Sequence, residues 1–397
     1  MSQKISAIVP TYNRAAFVVE AVGSLMAQTR PVQEIVIWDD GSTDGTEAAL
    51  RPLAEGSMGV VRYFRTENGG KSRALNAALH EVTGDYIWVF DDDDVALPHA
   101  AEALAGALDG SRAGLVGARH ERFSDGPDGR LLDGTGYWPD LSSGSVLRHM
   151  LEDIFFFQPA SLVRRDLFDR VGPFREDLPR SIDYEMFVRL AARAPVEMVD
   201  QVVFHQRKHD GARGPAAARH AAQSSEAVWL ENDRRIFRDF RDVLPLSLYE
   251  AMFNGPAAPR AALLQRGCVY ARRADWDLAL EDFRAALRLD VGPLTPTERS
   301  ICLRAMAAKH GCDEALTAPV RGELMALKSA GPVGRQIVAG FGRGLLWRLR
   351  EAISAREAGR ALRLASFIAA AGTRAQGLGA EDALTENDVL SEEAYAW

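Results

Sequence analysis

The first 110 residues alternate short apolar runs with longer segments in which apolar positions recur at helical spacing. The apolar runs predict five strands, at residues 5–9, 34–38, 60–64, 86–90 and 114–118. The segments between them predict four helices, at residues 15–28, 43–53, 71–80 and 98–108. Continuous apolar strands separated by helices are typical of a parallel sheet covered on both faces. The chain is therefore predicted to begin with an α/β domain.

The pattern changes twice further along the chain. After residue 120 it becomes irregular, with a hairpin or loop predicted around 123–132 and an amphipathic helix over 180–194. A tract rich in small residues, at 209–220, predicts a domain boundary. Beyond it the strand signal disappears, and Ala, Leu, Arg and Glu dominate. The predicted organisation is an α/β domain at 1–212, a helical domain at 213–380 and an acidic tail at 381–397.

One segment of the helical domain has a recognisable pattern. Residues 263–290 predict two helices joined by a short turn and resemble a tetratricopeptide repeat. The resemblance rests on small and large positions at the expected spacing, namely Gly267, Tyr270, Ala279, Phe283 and Ala286. No clean second copy follows, so an ordinary helical hairpin remains an alternative. A repeat of this kind would imply a protein partner or self-association.

The end of the chain is divided by charge. Residues 328–374 hold nine Lys or Arg against two Glu, whereas the last 17 residues hold six acids and no base. Basic amphipathic helices can lie on anionic membranes. A solvated helix face, or docking of the basic segment against the acidic tail, also fits the pattern.

Overall composition excludes several classes of protein. The 397 residues carry a net charge of −8, so no basic field recruits nucleic acid. Cys268, Cys302 and Cys312 have no metal-ligand spacing and are expected to be reduced thiols. Neither a signal peptide nor a membrane-spanning run is recognisable, and a cytoplasmic location is predicted.

Polar segments follow four of the predicted strands. They are PTYNR at 10–14, DDGSTDGT at 39–46, NGGKS at 68–72 and DDDD at 91–94. Because ligands of such sheets bind beyond the carboxyl ends of the strands, we expect these segments to share one site. The backbone at Pro10 and Thr11 would approach a ligand closely, Tyr12 would offer it an aromatic surface, and Asn13 belongs to the same segment.

The acidic run predicts a cation site. If its backbone is extended, Asp91 and Asp93 point to one face, and Asp92 and Asp94 to the other. One such pair can hold Mg²⁺ or Mn²⁺, ions that keep open positions for substrate phosphates. The other pair can bind a sugar hydroxyl or cap the helix that begins near Pro98.

The remaining polar segments offer complementary groups. Asp39 and Asp40 can accept hydrogen bonds from a nucleobase imide or a ribose hydroxyl. Lys71 and Arg73 can meet a diphosphate, with Asn76 close to the same edge.

Together these motifs resemble the family-2 glycosyltransferases of the GT-A fold. The resemblance covers residues 4–210. It includes QPASLVRRDLFDRVGPFRED, which resembles the segment before the family's catalytic helix, and SIDYEMFVRLA, which resembles that helix. It implies a Rossmann-like mixed sheet with helices on both faces, here followed by an all-α domain. The implied reaction is the inverting transfer of a sugar from a nucleotide-sugar to an acceptor hydroxyl.

The resemblance also implies roles for individual residues. Asp40 would bind the base, Asp92 the ribose, and Asp93 with Asp91 the metal. Asp183 would be the general base, although Ile182 replaces the acid that usually precedes it. At the end of the last strand, Arg207 would meet the nucleotide-sugar and His209 the diphosphate or metal.

The sequence thus predicts a metal-dependent enzyme that uses a nucleotide-sugar, with a UDP-sugar as the expected donor. The acceptor would be a glycan, a lipid-linked oligosaccharide or a protein, in cell-surface or extracellular glycan synthesis. One alternative is a degenerate transferase domain that serves as a scaffold for the helical domain. A nucleotidyltransferase is disfavoured, because it would carry a Gly-rich basic loop where this chain has PTYNR.

Overall fold

The computed structural model of the chain describes residues 3–127, 129–208, 225–372 and 384–397. It divides into two compact units. The first comprises residues 1–140 and 153–226, and the second comprises residues 141–152 and 227–397. The sequence placed residues 141–152 in the first domain, so their membership of the helical unit is a difference from the expectation.

The first unit is built on a nine-stranded mixed sheet with the order β3-β2-β1-β4-β8-β6-β9-β5, in which β7 pairs with β6. The strands are β1 (Ile5–Thr11), β2 (Glu34–Asp39), β3 (Val61–Arg65), β4 (Tyr86–Val89), β5 (Val95–Ala96), β6 (Leu115–Gly126), β7 (Gly129–Thr135), β8 (Ser161–Arg164) and β9 (Val196–Arg207). Strands β1 to β4 are mutually parallel where they pair, whereas β8 runs antiparallel to both β4 and β6. The predicted α/β class with a mixed sheet is confirmed.

Helices connect the strands of this unit. They are α1 (Val18–Met26), α2 (Thr46–Gly56), α3 (Lys71–Glu81), α4 (Ala100–Leu108), α6 (Arg165–Val171) and α7 (Ile182–Ala191). Every residue of β1 is buried, as expected for a central strand covered on both faces.

Two local expectations differ from the structure. The aspartates at 91–94 form a turn between β4 and β5 rather than an extended segment. Their burial nevertheless alternates, because Asp92 and Asp94 are buried and Asp91 and Asp93 are half-buried. Asp94 does not cap the following helix, since α4 begins after His99.

The second unit is mainly helical. Its elements are α5 (Val146–Glu152), α8 (Ser225–Val243, assigned to this unit from Ala227), α9 (Leu246–Glu250), α10 (Ala258–Ala271), α11 (Trp276–Ala286), α12 (Pro296–Met306), α13 (Ala318–Ser329), α14 (Pro332–Gly344), α15 (Leu346–Ser354) and α16 (Ala358–Ala371). A two-stranded sheet pairs β10 (Phe253–Asn254) with β11 (Thr385–Glu386). Among the described residues no helix is both long enough and apolar enough to cross a membrane.

Charged side chains bind α5 to this unit. Glu152 accepts hydrogen bonds from Gln265 (2.9 Å) and Arg304 (2.8 Å), and Arg148 pairs with Glu386 at 2.9 Å. Although burial alone would raise it, Arg304 and Arg148 hold the pKa of Glu152 well below its usual range. Residues 141–152 therefore belong with the helices because their charges are neutralised there.

The predicted hairpin at 263–290 is formed by α10 and α11. A Cβ atom on Gly267 would lie 2.8 Å from the ring of Phe283, so the two helices approach closely at this glycine. The side chains of Tyr270 and Phe283 are buried, as are Ala279 and Ala286. The structure shows a tightly packed helical hairpin, and its identity as a tetratricopeptide repeat stays a prediction.

We expect Gly267→Ala to lower the free energy of unfolding by about 1–3 kcal/mol, because the added methyl group collides with the buried Phe283 ring. The matched control is Gly322→Ala in α13, where an added Cβ meets no atom within 4 Å. That change should raise the free energy of unfolding by about 0.5–1 kcal/mol through helix propensity. Chemical denaturation of both variants tests the contact, and equal shifts at the two positions would contradict it.

Candidate active site

The carboxyl ends of β1, β2 and β4 lie side by side and carry most of the predicted residues. Strand pairing places Thr11, the last residue of β1, beside Asp39, the last residue of β2. Pro10 and Thr11 are buried within β1, whereas Tyr12 is half-buried just beyond it. The sheet topology therefore brings the PTYNR and DDGSTDGT segments together, as the sequence predicted.

Asn13 connects these two segments. Its side-chain oxygen accepts hydrogen bonds from the backbone N–H of Thr43 (2.8 Å) and of Asp44 (3.3 Å). Its own N–H donates to the Ser42 hydroxyl at 2.8 Å, and its φ of 53° is one that Asn tolerates better than most residues. The contacts of Asn13 thus shape the loop after β2.

Asp39 is fully buried and engaged with protein groups at both oxygens. One oxygen accepts from the N–H of Ser42 at 2.7 Å, and the other accepts from the Tyr63 hydroxyl at 2.5 Å. Burial and this carboxylate raise the pKa of Tyr63 above its usual value. These contacts give Asp39 a part in fixing the turn after β2, and its predicted contact with a nucleotide stays a prediction.

Asp40 organises the glycine loop before α3. Its carboxylate accepts hydrogen bonds from the N–H groups of Gly69 (2.7 Å) and Gly70 (2.9 Å), and from the Asn68 amide (3.0 Å). The turn that follows β2 requires glycine at position 41, because its φ is +82° and an added Cβ atom would lie 2.9 Å from the Asn68 backbone nitrogen. Through these bonds Asp40 determines where α3 begins, and so where Lys71 lies.

Lys71, the first residue of α3, faces the acidic turn. Its ammonium nitrogen lies 2.5 Å from a carboxylate oxygen of Asp91. Although burial alone would lower it, the Asp91 carboxylate raises the pKa of Lys71 above its usual value, and Asp183 contributes in the same direction. Lys71 is therefore a cation shared between the acidic turn and the predicted general base.

The two buried aspartates of the turn resist ionisation. Burial and repulsion from Asp93 raise the pKa of Asp92 to about 7, with the Arg14 guanidinium 3.8 Å away opposing the shift. The same two causes raise the pKa of Asp94 well above its usual range. Arg14 opposes the shift of Asp92 and Lys71 opposes that of Asp94, but neither cation cancels the raised pKa.

Arg207 contacts the acidic turn through both its backbone and its side chain. Its backbone N–H donates to Asp94 at 2.9 Å, and its Nε donates to the Asp93 carbonyl at 2.9 Å. Its guanidinium pairs with Glu20 and Asp125, and only 3% of the side chain is exposed. The sequence predicted that Arg207 meets the nucleotide-sugar, whereas the structure shows its guanidinium occupied by protein groups.

Aromatic rings enclose the same guanidinium. Its carbon lies 5.0 Å from the ring centre of Phe17 and 4.6 Å from that of Phe123. Cation–π contacts on both sides, together with two ion pairs, fix the side chain in one position.

Asn76 is likewise committed to the protein. Its amide nitrogen donates to the Phe174 carbonyl (2.9 Å) and to Glu176 (3.0 Å), and its oxygen accepts from the Phe174 N–H (2.8 Å). Since both amide hydrogens are used, Asn76 clamps the loop before α7 to α3. Its predicted contact with the donor remains untested.

Asp183 lies in the first turn of α7, which follows Ser181 with φ of 57°. Burial raises the pKa of Asp183 above its usual value, against the opposing charge of Lys71. A carboxylate of raised pKa is a stronger proton acceptor than an exposed one. The side chain also lines a small cavity with Gln158 and Phe174.

The sequence analysis assigned no role to Gln158 or Arg14. Gln158 is buried, its side-chain oxygen has no hydrogen-bond partner in the described part of the chain, and it lines the cavity beside Asp183. Arg14 is the nearest described cation to Asp92. Both lie inside motifs that signalled the site, at QPAS and PTYNR, and their position in those motifs was the available signal.

The donor set of the acidic turn fits a hard divalent cation. Asp91 and Asp93 are half-buried carboxylates in an over-charged turn, which suits an ion held by one or two carboxylates and completed by substrate phosphates. Within the described ranges no group of three or more His, Cys, Asp or Glu converges as a metal site. His209, the third predicted ligand, lies outside the described residues.

Comparison with known proteins identifies relatives of this domain. Residues 6–172 match the family model "Glycosyl transferase family 2". An uncharacterized glycosyltransferase of Rickettsia conorii is 29% identical over 212 residues, which are 52% of this chain and 34% of that protein. An uncharacterized glycosyltransferase of Nostoc is 28% identical over 284 residues, covering 69% of this chain and 85% of its own length. Chondroitin synthase of Pasteurella multocida is 29% identical over 206 residues, which are 52% of this chain and 20% of that protein.

The chain thus spans about a third of the Rickettsia conorii relative and a fifth of the chondroitin synthase. Among solved structures, TarS 1–349 of S. aureus superposes with a TM-score of 0.51 at 17% identity, over 84% of this chain and 90% of that one. The same protein in complex with UDP-GlcNAc gives a TM-score of 0.50 at 16% identity, over 97% of this chain and 100% of that one. These structural matches show a shared fold.

We expect Arg207→Gln to lower the free energy of unfolding of the first unit by about 2–3 kcal/mol, since it leaves a buried carbonyl and two carboxylates without their shared partner. The control is Arg51→Gln, which removes an exposed ion pair with Glu47 and should change stability by less than about 0.5 kcal/mol. Thermal and chemical denaturation measure both changes. If Arg207→Gln were as mild as the control, the predicted stabilisation would be contradicted.

Proposed function

We propose that the chain is a family-2 glycosyltransferase, which transfers a sugar from a nucleotide-sugar to an acceptor hydroxyl with inversion at the anomeric carbon; the match of residues 6–172 to the family model supports the proposal. The observation that carries the proposal is the position of Lys71. Its ammonium group pairs with Asp91 of the acidic turn and also interacts with the half-buried Asp183. The predicted diphosphate end and the predicted general base therefore belong to one electrostatic site.

The proposed chemistry follows from the states of these groups. Asp183, whose pKa is raised by burial, accepts the proton of the acceptor hydroxyl. As that oxygen forms its bond to the anomeric carbon, the bond from this carbon to the diphosphate oxygen breaks, and the nucleoside diphosphate leaves with the electron pair. Lys71 is close enough to the acidic turn to share the charge of a diphosphate bound there.

The proposed binding roles follow the geometry. Asp92, whose pKa is raised to about 7, is suited to a hydrogen bond with a ribose hydroxyl, in which it can act as donor or acceptor. Asp40 would reach the base from the glycine loop that it organises. A divalent cation, Mg²⁺ or Mn²⁺, held by Asp91 and Asp93 would offset the charge that develops on the departing diphosphate.

We propose a UDP-sugar as the donor and a glycan hydroxyl as the acceptor, in the synthesis of a surface or extracellular polysaccharide. The proposal draws support from relatives named chondroitin synthase and hyaluronan synthase, and from TarS, a protein of the same fold that was solved with UDP-GlcNAc. Lipid-linked and protein acceptors are the alternatives. The packed hairpin of α10 and α11 is the proposed contact for a protein partner or second copy, and the proposed location is the cytoplasmic face of a membrane.

We expect purified protein to hydrolyse or transfer from a UDP-sugar only when Mn²⁺ or Mg²⁺ is present. Asp93→Asn should abolish the rise in melting temperature that donor and metal together produce, because it removes a metal ligand. The control is Asp166→Asn, an exposed acid of α6, which should respond as the wild type does. A screen of nucleotide-sugars by thermal shift and product release provides both readouts, and an undiminished response of Asp93→Asn would exclude its role as a ligand.

We expect Asp183→Asn to bind the donor normally and to lower the transfer rate about 10²–10⁴-fold, since the amide cannot accept the proton. Donor binding by thermal shift and turnover by nucleotide release separate the two effects. A wild-type protein that binds donor but releases no nucleotide with any acceptor would instead support the scaffold alternative. Full activity of Asp183→Asn would place the base elsewhere.

A further inference from the structure

The second unit exposes a group of large apolar side chains on two consecutive helices. Leu346 and Trp347 are each 42% exposed on α15, and Ile353 is 61% exposed near its end. Leu362, on the outer side of α16, is 73% exposed. Single exposed apolar residues are ordinary on a protein surface, whereas a group on two packed helices indicates a binding surface.

Helical spacing places these residues on the outer faces of α15 and α16. Leu346, Arg350 and Ile353 are separated by four and then three residues, so they form one stripe along α15. The opposite side of the helix buries Ala352. In α16 the buried positions include Leu364 and Phe367, which point away from Leu362.

Positive charge surrounds the apolar side chains. Arg350, Arg356 and Arg363 are exposed, and none of them forms an ion pair with a carboxylate of the described residues. Between residues 346 and 371 the sequence has two acids. Glu351 pairs with Arg348, and Glu357 pairs with Arg360. We call the exposed set the α15–α16 surface; it consists of Leu346, Trp347, Arg350, Ile353, Arg356, Leu362 and Arg363.

The described part of the acidic tail does not cover this surface. Glu386 pairs with Arg148 and Arg304, and β11 pairs with β10. The side chains of Leu384 and Leu390 are buried, and the last turn of the chain packs near α9. Docking of the basic segment against the tail as a whole stays a prediction.

We infer that the α15–α16 surface docks on an anionic phospholipid bilayer. Two observations select this occupant: arginines without a carboxylate partner among the described residues match the charge of acidic head groups, and an exposed Trp with aliphatic neighbours suits the interface between water and acyl chains. The inference deepens the proposed function, since a transferase held at a membrane can act on acceptors or products delivered there. It makes the second unit the part that determines location.

The test is vesicle flotation of the full-length protein without donor or metal. Wild type should float with vesicles of phosphatidylcholine that contain about 30 mol% phosphatidylglycerol, and weakly with phosphatidylcholine alone. The variant Ile353→Ser/Leu362→Ser should bind about tenfold more weakly, because it removes the two most exposed apolar side chains. The variant Arg350→Gln/Arg363→Gln should lose the dependence on phosphatidylglycerol, and salt should have the same effect on the wild type.

Matched controls lie elsewhere on the same unit. Val291→Ser/Val389→Ser changes two exposed apolar residues outside the surface, and Arg288→Gln changes an exposed arginine. Both should float as the wild type does. Failure of the wild type to bind anionic vesicles, as expected for an acidic protein partner, would overturn the inference, as would unchanged binding by Ile353→Ser/Leu362→Ser. Because no donor is present, either result is independent of whether the protein transfers sugar.

Discussion

Repulsion among four carboxylates in one short turn is the constraint around which the first unit is organised. Each neighbouring element supplies a different means of tolerating it. Helix α3 places Lys71 against Asp91, the loop after β1 places Arg14 near Asp92, and β9 ends on Arg207, which grips the backbone of the turn. Compensation by these groups is incomplete, as the raised pKa values of the two buried aspartates show. A turn with this excess of carboxylates suits the binding of a metal ion and a phosphorylated nucleotide that we propose for it.

The residues that touch ligand in our proposal are supported by others that touch only protein. Asp40 binds the glycine loop, and that loop fixes the start of α3 and hence the position of Lys71. Asn76 holds the loop that precedes α7, the helix that carries Asp183. Small changes in either contact would move Lys71 and Asp183, the proposed diphosphate contact and the proposed general base, relative to each other, so the supporting residues matter for the geometry of the proposed site.

Much of the first unit could be predicted because its information is local. Apolar runs identified β1, β2, β3 and β4, and the rule that ligands bind at the carboxyl edge located the site. What the sequence could not show depends on contacts between distant residues. Strand β5 has only two residues and is recognisable only through its pairing with β9. The aspartates that precede it form a turn, which the sequence pattern did not predict. Arg207 and Asn76 have the side chains of ligand-binding residues, and the sequence does not show that the protein itself supplies hydrogen-bond and ion-pair partners for both. The assignment of α5 to the helical unit depends on Arg304, more than 150 residues away.

That assignment has a consequence for how the chain can be divided. The polypeptide passes between its two units three times, at residues 140/141, 152/153 and 226/227, rather than once. Cutting it after the first unit would separate α5 from the other helices of the second unit, so that the buried Arg148 would lose Glu386 and the buried Glu152 would lose Arg304. A fragment that ends after the first unit would therefore carry a helix that has lost its partners, and a fragment that begins at Ala227 would lack part of its own core.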